Sequence, residues 1–195
     1  MFVHTLKENE VFVFGANARC FHGGGAAGYA QFGNPKNGWR ENTSFQLALT
    51  ELNKKNKNLP YDKSLLIGNW SVLGSIGFMV GNVGKSYGVV TTEAPGKKGI
   101  VDSEFLKKEL VKFLEFSKAH PEYIFLCADF GLKREYGGLS WWSPEDLNQI
   151  WELAFVETFG IKLKDIRNNV FNNITLPSYL VCGKDVETNL IELFK

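Results

Sequence analysis

The sequence predicts one α/β domain of three layers, in which a mixed, mostly parallel sheet lies between helices. Short apolar runs of strand length alternate along the chain with segments of helical periodicity, which is the order of a parallel sheet with helices on both faces. With 195 residues, 44% of them hydrophobic, the chain can bury one core and is short for two ordinary domains. No repeat, linker or low-complexity tract divides it, so residues 1–195 are interpreted as a single domain.

The first half of the chain gives strong strand signals at its two ends. Residues 10–14 are a β-branched and aromatic run that ends at a glycine, and residues 87–92 (YGVVTT) form a second such run. Small residues followed by aromatic ones predict a helix within 25–32, and apolar spacing predicts another at 44–55. The glycine-rich segment 65–88 is compatible with bent strands or with loops.

The second half contains the clearest helices. Residues 102–119 carry apolar side chains at helical spacing behind an Asp/Ser cap, and Ser143-Pro144 is typical of the start of another helix. Between them, the continuous apolar run 123–128 (YIFLCA) predicts a central parallel strand. The tail is expected to add a strand near 178–182 and a short helix at 186–194.

Composition narrows the function. The 22 Lys and Arg residues nearly balance the 21 Asp and Glu residues, so no extended nucleic-acid surface is expected. We find neither a signal-peptide pattern nor about eighteen continuous apolar residues, and we therefore expect a soluble, cytoplasmic protein without a membrane segment. Cys20, Cys127 and Cys182 are widely spaced, which favours reduced thiols. No Cys-x-x-Cys or Cys/His cluster suggests zinc. Neither a metal nor a cofactor is expected.

The first candidate binding loop follows the first predicted strand and reads GANARCFHGGGAAG. Its glycines allow a backbone to approach a bulky anion closely, and the amides at the start of the next helix favour phosphate. The alternative is that these glycines only allow a tight turn and close helix packing. The candidate ligand-binding residues of this loop are Gly15, Ala16, Asn17, Gly23, Gly24, Gly25 and Ala26.

The second candidate loop, residues 129–138, follows the strand predicted at 123–128. In open α/β sheets, ligands bind beyond the carboxyl ends of the strands, and two aromatic side chains of this loop could stack on a base or a ribose. The alternative is an ordinary connection whose aromatic residues pack on the core. The candidate binding residues are Phe130, Gly131, Tyr136, Gly137 and Gly138.

Two common nucleotide motifs are rejected. Gly23-x-Gly25-x-x-Gly28 has the dinucleotide-binding spacing, but its first glycine lies nine residues beyond Phe14, whereas a Rossmann turn leaves its strand directly. Gly84-Lys85-Ser86 matches the end of a P-loop, yet Met79 stands where the first glycine belongs, and a strand is predicted to follow instead of a helix.

Phe14-Gly15-Ala16-Asn17 followed by Gly23-Gly24-Gly25-Ala26-Ala27 resembles the macrodomain signature. It is similar to macrodomain-like proteins of phages and bacteria that begin with Phe-Val-Phe-Gly-x-Asn and a glycine-rich turn. Residues 84–90 look like the segment that re-enters the macrodomain sheet, and 129–138 fall where that family has its second phosphate-binding loop. The resemblance implies a three-layer α/β/α fold that binds ADP-ribose or a related nucleotide.

The resemblance also assigns roles to residues. Asn17 would contact the distal ribose, residues 23–26 would hold one phosphate, and residues 131–138 the other. Two departures stand out: Ala26-Ala27 replace the acidic residue that hydrolytic members often carry, and Lys133, Arg134 and Glu135 lengthen the second loop. The absent carboxylate weakens the case for activation of a water, and the longer loop makes a bulkier or cyclic nucleotide a further candidate ligand.

Three functions follow as alternatives. The first is binding of ADP-ribose or a related nucleotide, in order to sequester or process it. The second is ADP-ribosyl hydrolysis on modified protein or nucleic acid, with Asn17, His22 or Asp129 as candidate catalytic residues, although stabilisation of the glycine turn is the favoured role for His22. The third is a non-catalytic protein-interaction domain in which the glycine turn is only compact packing.

Overall fold

The computed structural model describes residues 6–18, 26–27, 30, 77–81, 84–93, 101–138 and 140–182. In chain order, its strands and α-helices with complete bounds are β1 (Glu10–Asn17), β2 (Gly77–Gly81), β3 (Gly84–Thr92), α1 (Ser103–Ala119), β4 (Ile124–Cys127), α2 (Pro144–Phe159), β5 (Val170–Phe171) and β6 (Ile174–Thr175). Short 3-10 turns lie at Arg134–Tyr136 and Leu163–Asp165.

These strands form one six-stranded mixed sheet in the order β2-β3-β1-β4-β6-β5. The four inner strands are parallel to one another, and the two edge strands, β2 and β5, pair antiparallel with their neighbours. β1 lies in the middle, with Val11 opposite Lys85 of β3 and Phe125 of β4. The prediction of an α/β domain with a mixed, mainly parallel sheet is confirmed at this level.

β1 contributes to hydrophobic clusters on both faces of the sheet. Val11 and Val13 are fully buried in a large cluster with side chains of α1 and α2. Because successive side chains of a strand point to opposite faces, Phe12 and Phe14 lie on the other face, where they cluster with Ala27 and Ala30. Residues 26, 27 and 30 are helical, as the sequence predicts for this part of 25–32.

α1 begins after a side-chain cap at Asp102. The Asp102 carboxylate accepts a hydrogen bond of 2.7 Å from the amide of Phe105, and the apolar face of the helix, including Leu106, Leu110 and Phe113, is fully buried. At the other end, Asn173 Nδ2 lies 2.9 to 3.1 Å from three backbone carbonyl oxygens, those of Ser117, His120 and Tyr123. A side chain from the β5–β6 turn therefore caps the carboxyl end of α1 and holds the entry to β4.

α2 begins with a complete capping box. Ser143 Oγ accepts the Asp146 amide at 3.1 Å, the Asp146 carboxylate accepts the Ser143 amide, and Pro144 occupies the first turn. The helix ends at Gly160, which has a φ of +70°. An ion pair of 3.0 Å between Lys107 and Glu157 joins α1 to α2.

The prediction of a strand at 178–182 is wrong, because these residues form a turn and an irregular segment. The strands of the tail are the two-residue β5 and β6, whose tight turn contains Asn172 with a φ of +51°. Leu180 is buried because it covers the core cluster, which explains the apolar pattern that suggested a strand. The helices predicted at 44–55 and 186–194 lie outside the described residues.

The glycine-rich segment contains strand structure where it is described, since β2 and β3 both fall within or overlap 65–88. Gly84-Lys85-Ser86 are the first three residues of β3, so a strand and not a helix continues from them, as the rejection of a P-loop requires. Among the described residues, none of the helices has the length and apolar character needed to cross a bilayer.

Candidate functional site

The carboxyl ends of β3, β1 and β4 meet at one edge of the sheet. Asn17 lies opposite Thr92 in the parallel register, and the Ala18 amide donates to the Thr92 carbonyl at 2.9 Å. On the other side of β1, the Ala128 amide donates to the Val13 carbonyl at 2.9 Å. Both predicted binding loops therefore start from neighbouring strands at the same edge.

The chain leaves these strands toward opposite faces of the sheet. After β1 it passes to the helical residues Ala27 and Ala30, which pack on the face of Phe12 and Phe14. After β3 it passes to α1, and after β4 to α2, which both pack on the face of Val13. Connections that diverge in this way define a topological switch point, and open α/β sheets usually bind their ligands in a crevice at such a point.

Gly15 brings the two candidate loops into direct contact. A Cβ atom at this position would lie 2.9 Å from Phe130 Cβ and 3.1 Å from Thr91 Oγ1. A side chain larger than hydrogen would therefore push apart the ends of β1, β3 and β4. The Thr91 hydroxyl also donates to the Ala16 carbonyl at 3.4 Å, which adds a cross-strand link beside Gly15.

The second loop is closed on itself by backbone hydrogen bonds. The amides of Gly137 and Gly138 donate to the carbonyls of Arg134 and Lys133, at 3.0 and 3.2 Å. The Ser140 hydroxyl then donates to the Thr91 carbonyl at 3.3 Å and fixes the loop to the end of β3. In this conformation, the amides of Gly137 and Gly138, which are among those expected to hold a phosphate, donate their hydrogen bonds within the loop.

Each glycine of the second loop has a conformational or packing reason. Gly131 and Gly137 have φ angles of +85° and +79°, in the left-handed region that favours glycine. Gly138 has no room for a side chain, since a Cβ atom would lie 1.9 Å from the Leu132 carbonyl oxygen. Backbone conformation and close packing are thus sufficient to explain these three glycines.

The two aromatic residues of this loop differ in exposure. Phe130 is 4% exposed and packs in the core with a ring-centre distance of 6.0 Å to Trp151. Phe130 therefore fits the alternative of core packing. Tyr136 is 40% exposed, and Lys133 Nζ lies 5.4 Å from its ring centre. Of the two rings, that of Tyr136 is therefore the one accessible for stacking on a ligand.

Asp129 connects the end of β4 to the segment after β6. Its two carboxylate oxygens accept hydrogen bonds of 2.6 Å from the amide and from the hydroxyl of Ser178. Burial, together with the negative charge of Asp129, raises the pKa of the Cys127 thiol well above its usual range. Cys127 is therefore a protonated, inert core residue at neutral pH.

The edge also contains polar side chains that the sequence analysis did not select. Thr91, Thr92 and Ser140 are 9% exposed or less, as is Asn17. Glu93 follows β3 directly, and its position after a strand could have been recognised from sequence. Ser140 could not, because its contact with Thr91 spans 49 residues.

The central part of the first loop, with His22, Gly23, Gly24 and Gly25, lies outside the described residues, and their roles stay predictions. Ala26 is helical and partly buried beside the Phe12 cluster. Within the described residues, no group of three or more His, Cys, Asp or Glu side chains is arranged to hold a metal ion.

Comparison with known proteins adds no assignment. No protein-family model matches the chain, and a search of curated proteins gives no significant match.

Proposed function

We propose that this protein binds ADP-ribose or a related nucleotide in the crevice at the carboxyl ends of β1, β3 and β4. The observation that supports this most directly is that both candidate loops leave adjacent parallel strands beside Gly15, at the switch point of the sheet. The hydrophobic clusters on both faces of β1 are what a three-layer, macrodomain-like α/β/α fold requires.

The first loop is the proposed phosphate site. Its glycine run 23–25 leads into the helical residues Ala26 and Ala27, and the amides at the start of a helix favour a bound anion. The rest of the edge is less suited to phosphate, because Asp129 and Glu93 are acidic and the amides of Gly137 and Gly138 are used within the second loop. The sugars and the base would therefore extend from the first loop toward Asn17 and Tyr136.

Binding is proposed in preference to hydrolysis. The carboxylate of Asp129 is held by two short hydrogen bonds to Ser178, which is typical of a carboxylate that positions a loop. Alanines stand at the helix-opening positions 26 and 27, where the hydrolytic relatives suggested by the resemblance carry an acid. The interaction-domain alternative requires an occluded crevice and therefore predicts no nucleotide binding at all.

Titration calorimetry of the full chain with ADP-ribose, its cyclic forms, NAD and AMP tests the proposal. We expect saturable binding of at least one member of this panel, and recovery of the ligand unchanged after incubation. Absence of binding by the whole panel at high ligand concentration would contradict the proposal. Slow conversion of the ligand that is lost in Asn17→Ala, with binding retained, would favour hydrolysis instead.

A further inference from the structure

The outer face of α2 presents two exposed apolar side chains, which we call the α2 patch. Leu153 and Val156 are 57% and 43% exposed, although Ala154 and Phe155 between them are fully buried. Residues three apart on a helix are neighbours on its surface, so the two side chains form one apolar area. Its burial against another apolar surface would be favourable.

The last described residues lie against the same helix. The Val181 amide donates to Asn148 Oδ1 at 3.0 Å, and Asn148 Nδ2 donates to the Tyr179 carbonyl at 3.3 Å. Burial and, to a smaller extent, the charge of Glu152 raise the pKa of the Cys182 thiol, so Glu152 lies close to this residue. Cys182 is therefore held beside α2, next to Asn148 and Glu152.

The α2 patch continues the row of side chains at which Cys182 lies. Asn148, Glu152 and Val156 follow one another at intervals of four residues and so share one side of the helix. With a rise of 1.5 Å per residue, Val156 is about 6 Å further along the axis than Glu152. Residues 183–185 can extend over about 10 Å, so residue 186 can reach the α2 patch while α2 stays in place.

The segment that comes next has the composition to cover such a surface. A helix is predicted at 186–194, outside the described residues, and Val186, Leu190, Leu193 and Phe194 recur there at helical spacing. A helix of this length is about 13 Å long, which is enough to cover both residues of the patch. It is also too short to be stable alone in water and needs an apolar surface to pack on.

We propose that residues 186–194 pack as a short amphipathic helix on the α2 patch of their own chain. The attachment through Cys182 keeps this segment at a high effective concentration beside the patch, an advantage that a separate molecule lacks. The inference assigns an intramolecular docking surface to α2 and is independent of the proposed nucleotide binding.

Hydrogen exchange of the full chain, resolved by residue, tests the proposal. The amides of 186–194 are expected to exchange at least about tenfold more slowly than in the isolated peptide 183–195. Leu153→Ala and Val156→Ala should each remove most of this protection. Ile124→Ala is the control, because Ile124 is also an exposed apolar residue but alternates with the core residue Phe125 and so faces the other side of the sheet.

A second pair of variants changes the segment itself. Leu190→Asp places a charge on the apolar side of the predicted helix and should abolish the protection. Thr188→Asp introduces the same side chain on its polar side and should leave the protection in place. The amides of α2, measured in the same experiment, show whether each variant keeps its fold.

Three results would overturn the proposal. The first is exchange of 186–194 at the rate of the free peptide, and the second is protection that persists when Leu153 and Val156 are both replaced by alanine. The third is protection that disappears on dilution together with a dimer in sedimentation, since the patch would then hold the segment of a second copy of the chain.

Discussion

Replacing Gly138 by alanine tests how the second loop is held against the end of β3. The added Cβ atom would lie 1.9 Å from the Leu132 carbonyl oxygen and 2.8 Å from Leu132 Cβ, so the two backbone segments must separate. Separation would break the hydrogen bonds from the Gly138 amide to the Lys133 carbonyl and from the Ser140 amide to the Leu132 carbonyl. With a net value of about 1 kcal/mol for each bond and a similar penalty for the carbonyl left unpaired, we expect G138A to lower the free energy of unfolding by about 3 kcal/mol.

Gly137→Ala is the matched control. Gly137 has a φ of +79°, and no atom lies within 4 Å of where its Cβ would be, so the substitution meets backbone strain without a clash. It should cost about 1 kcal/mol. Urea denaturation followed by tryptophan fluorescence measures both variants. A cost for G138A no larger than that for G137A would refute the close backbone contact, and with it the described position of the loop beside the crevice.

Three further outcomes are expected from urea or thermal unfolding. Phe130→Ala should lose about 3 to 5 kcal/mol of stability because the ring is buried against Trp151. Tyr136→Ala should change stability by less than about 0.5 kcal/mol, because this ring is partly exposed. Equal effects of the two substitutions would contradict the assigned packing. Asn173→Ala should lower the free energy of unfolding by about 2 kcal/mol, since it leaves three carbonyls at the end of α1 without their shared donor. An unchanged unfolding midpoint would show that this cap is unimportant. Burial raises the pKa of the Cys182 thiol from 9.0 to about 11, so this thiol ionises in the unfolded chain before it ionises in the folded protein. The free energy of unfolding should therefore fall between pH 9 and pH 11. A smaller fall in Cys182→Ala supports this, and a free energy of unfolding that rises over that range contradicts it.

The central elements were predictable because their signals are local. Asp102 and Ser143 mark the starts of α1 and α2 with side chains that bond amides three residues later. β1 and β4 are apolar runs with clear ends, as expected for strands that neighbours flank on both sides. β5 and β6 could not be predicted in the same way, since each has only two residues and depends on pairing with the other or with β4.

For the candidate site, sequence reasoning located the two loops but not the contact that holds the second loop to the end of β3. The rule that ligands bind beyond strand ends was enough to select Asn17 and residues 129–138. The contact between Ser140 and Thr91 was missed because it joins residues 49 positions apart, which no local pattern encodes. The glycine at 138 was interpreted as a possible ligand contact, whereas its surroundings explain it by packing alone.

Backbone NMR of the full chain during titration with ADP-ribose tests the central claim most directly. The account predicts that the amides of Asn17, Glu93 and Asp129, at three neighbouring strand ends, shift together with one dissociation constant. The amides of Asn9 and Tyr123, at the opposite edge of the sheet, should stay unchanged. Shifts confined to that opposite edge, or none at saturating ligand, would contradict a nucleotide site in the crevice.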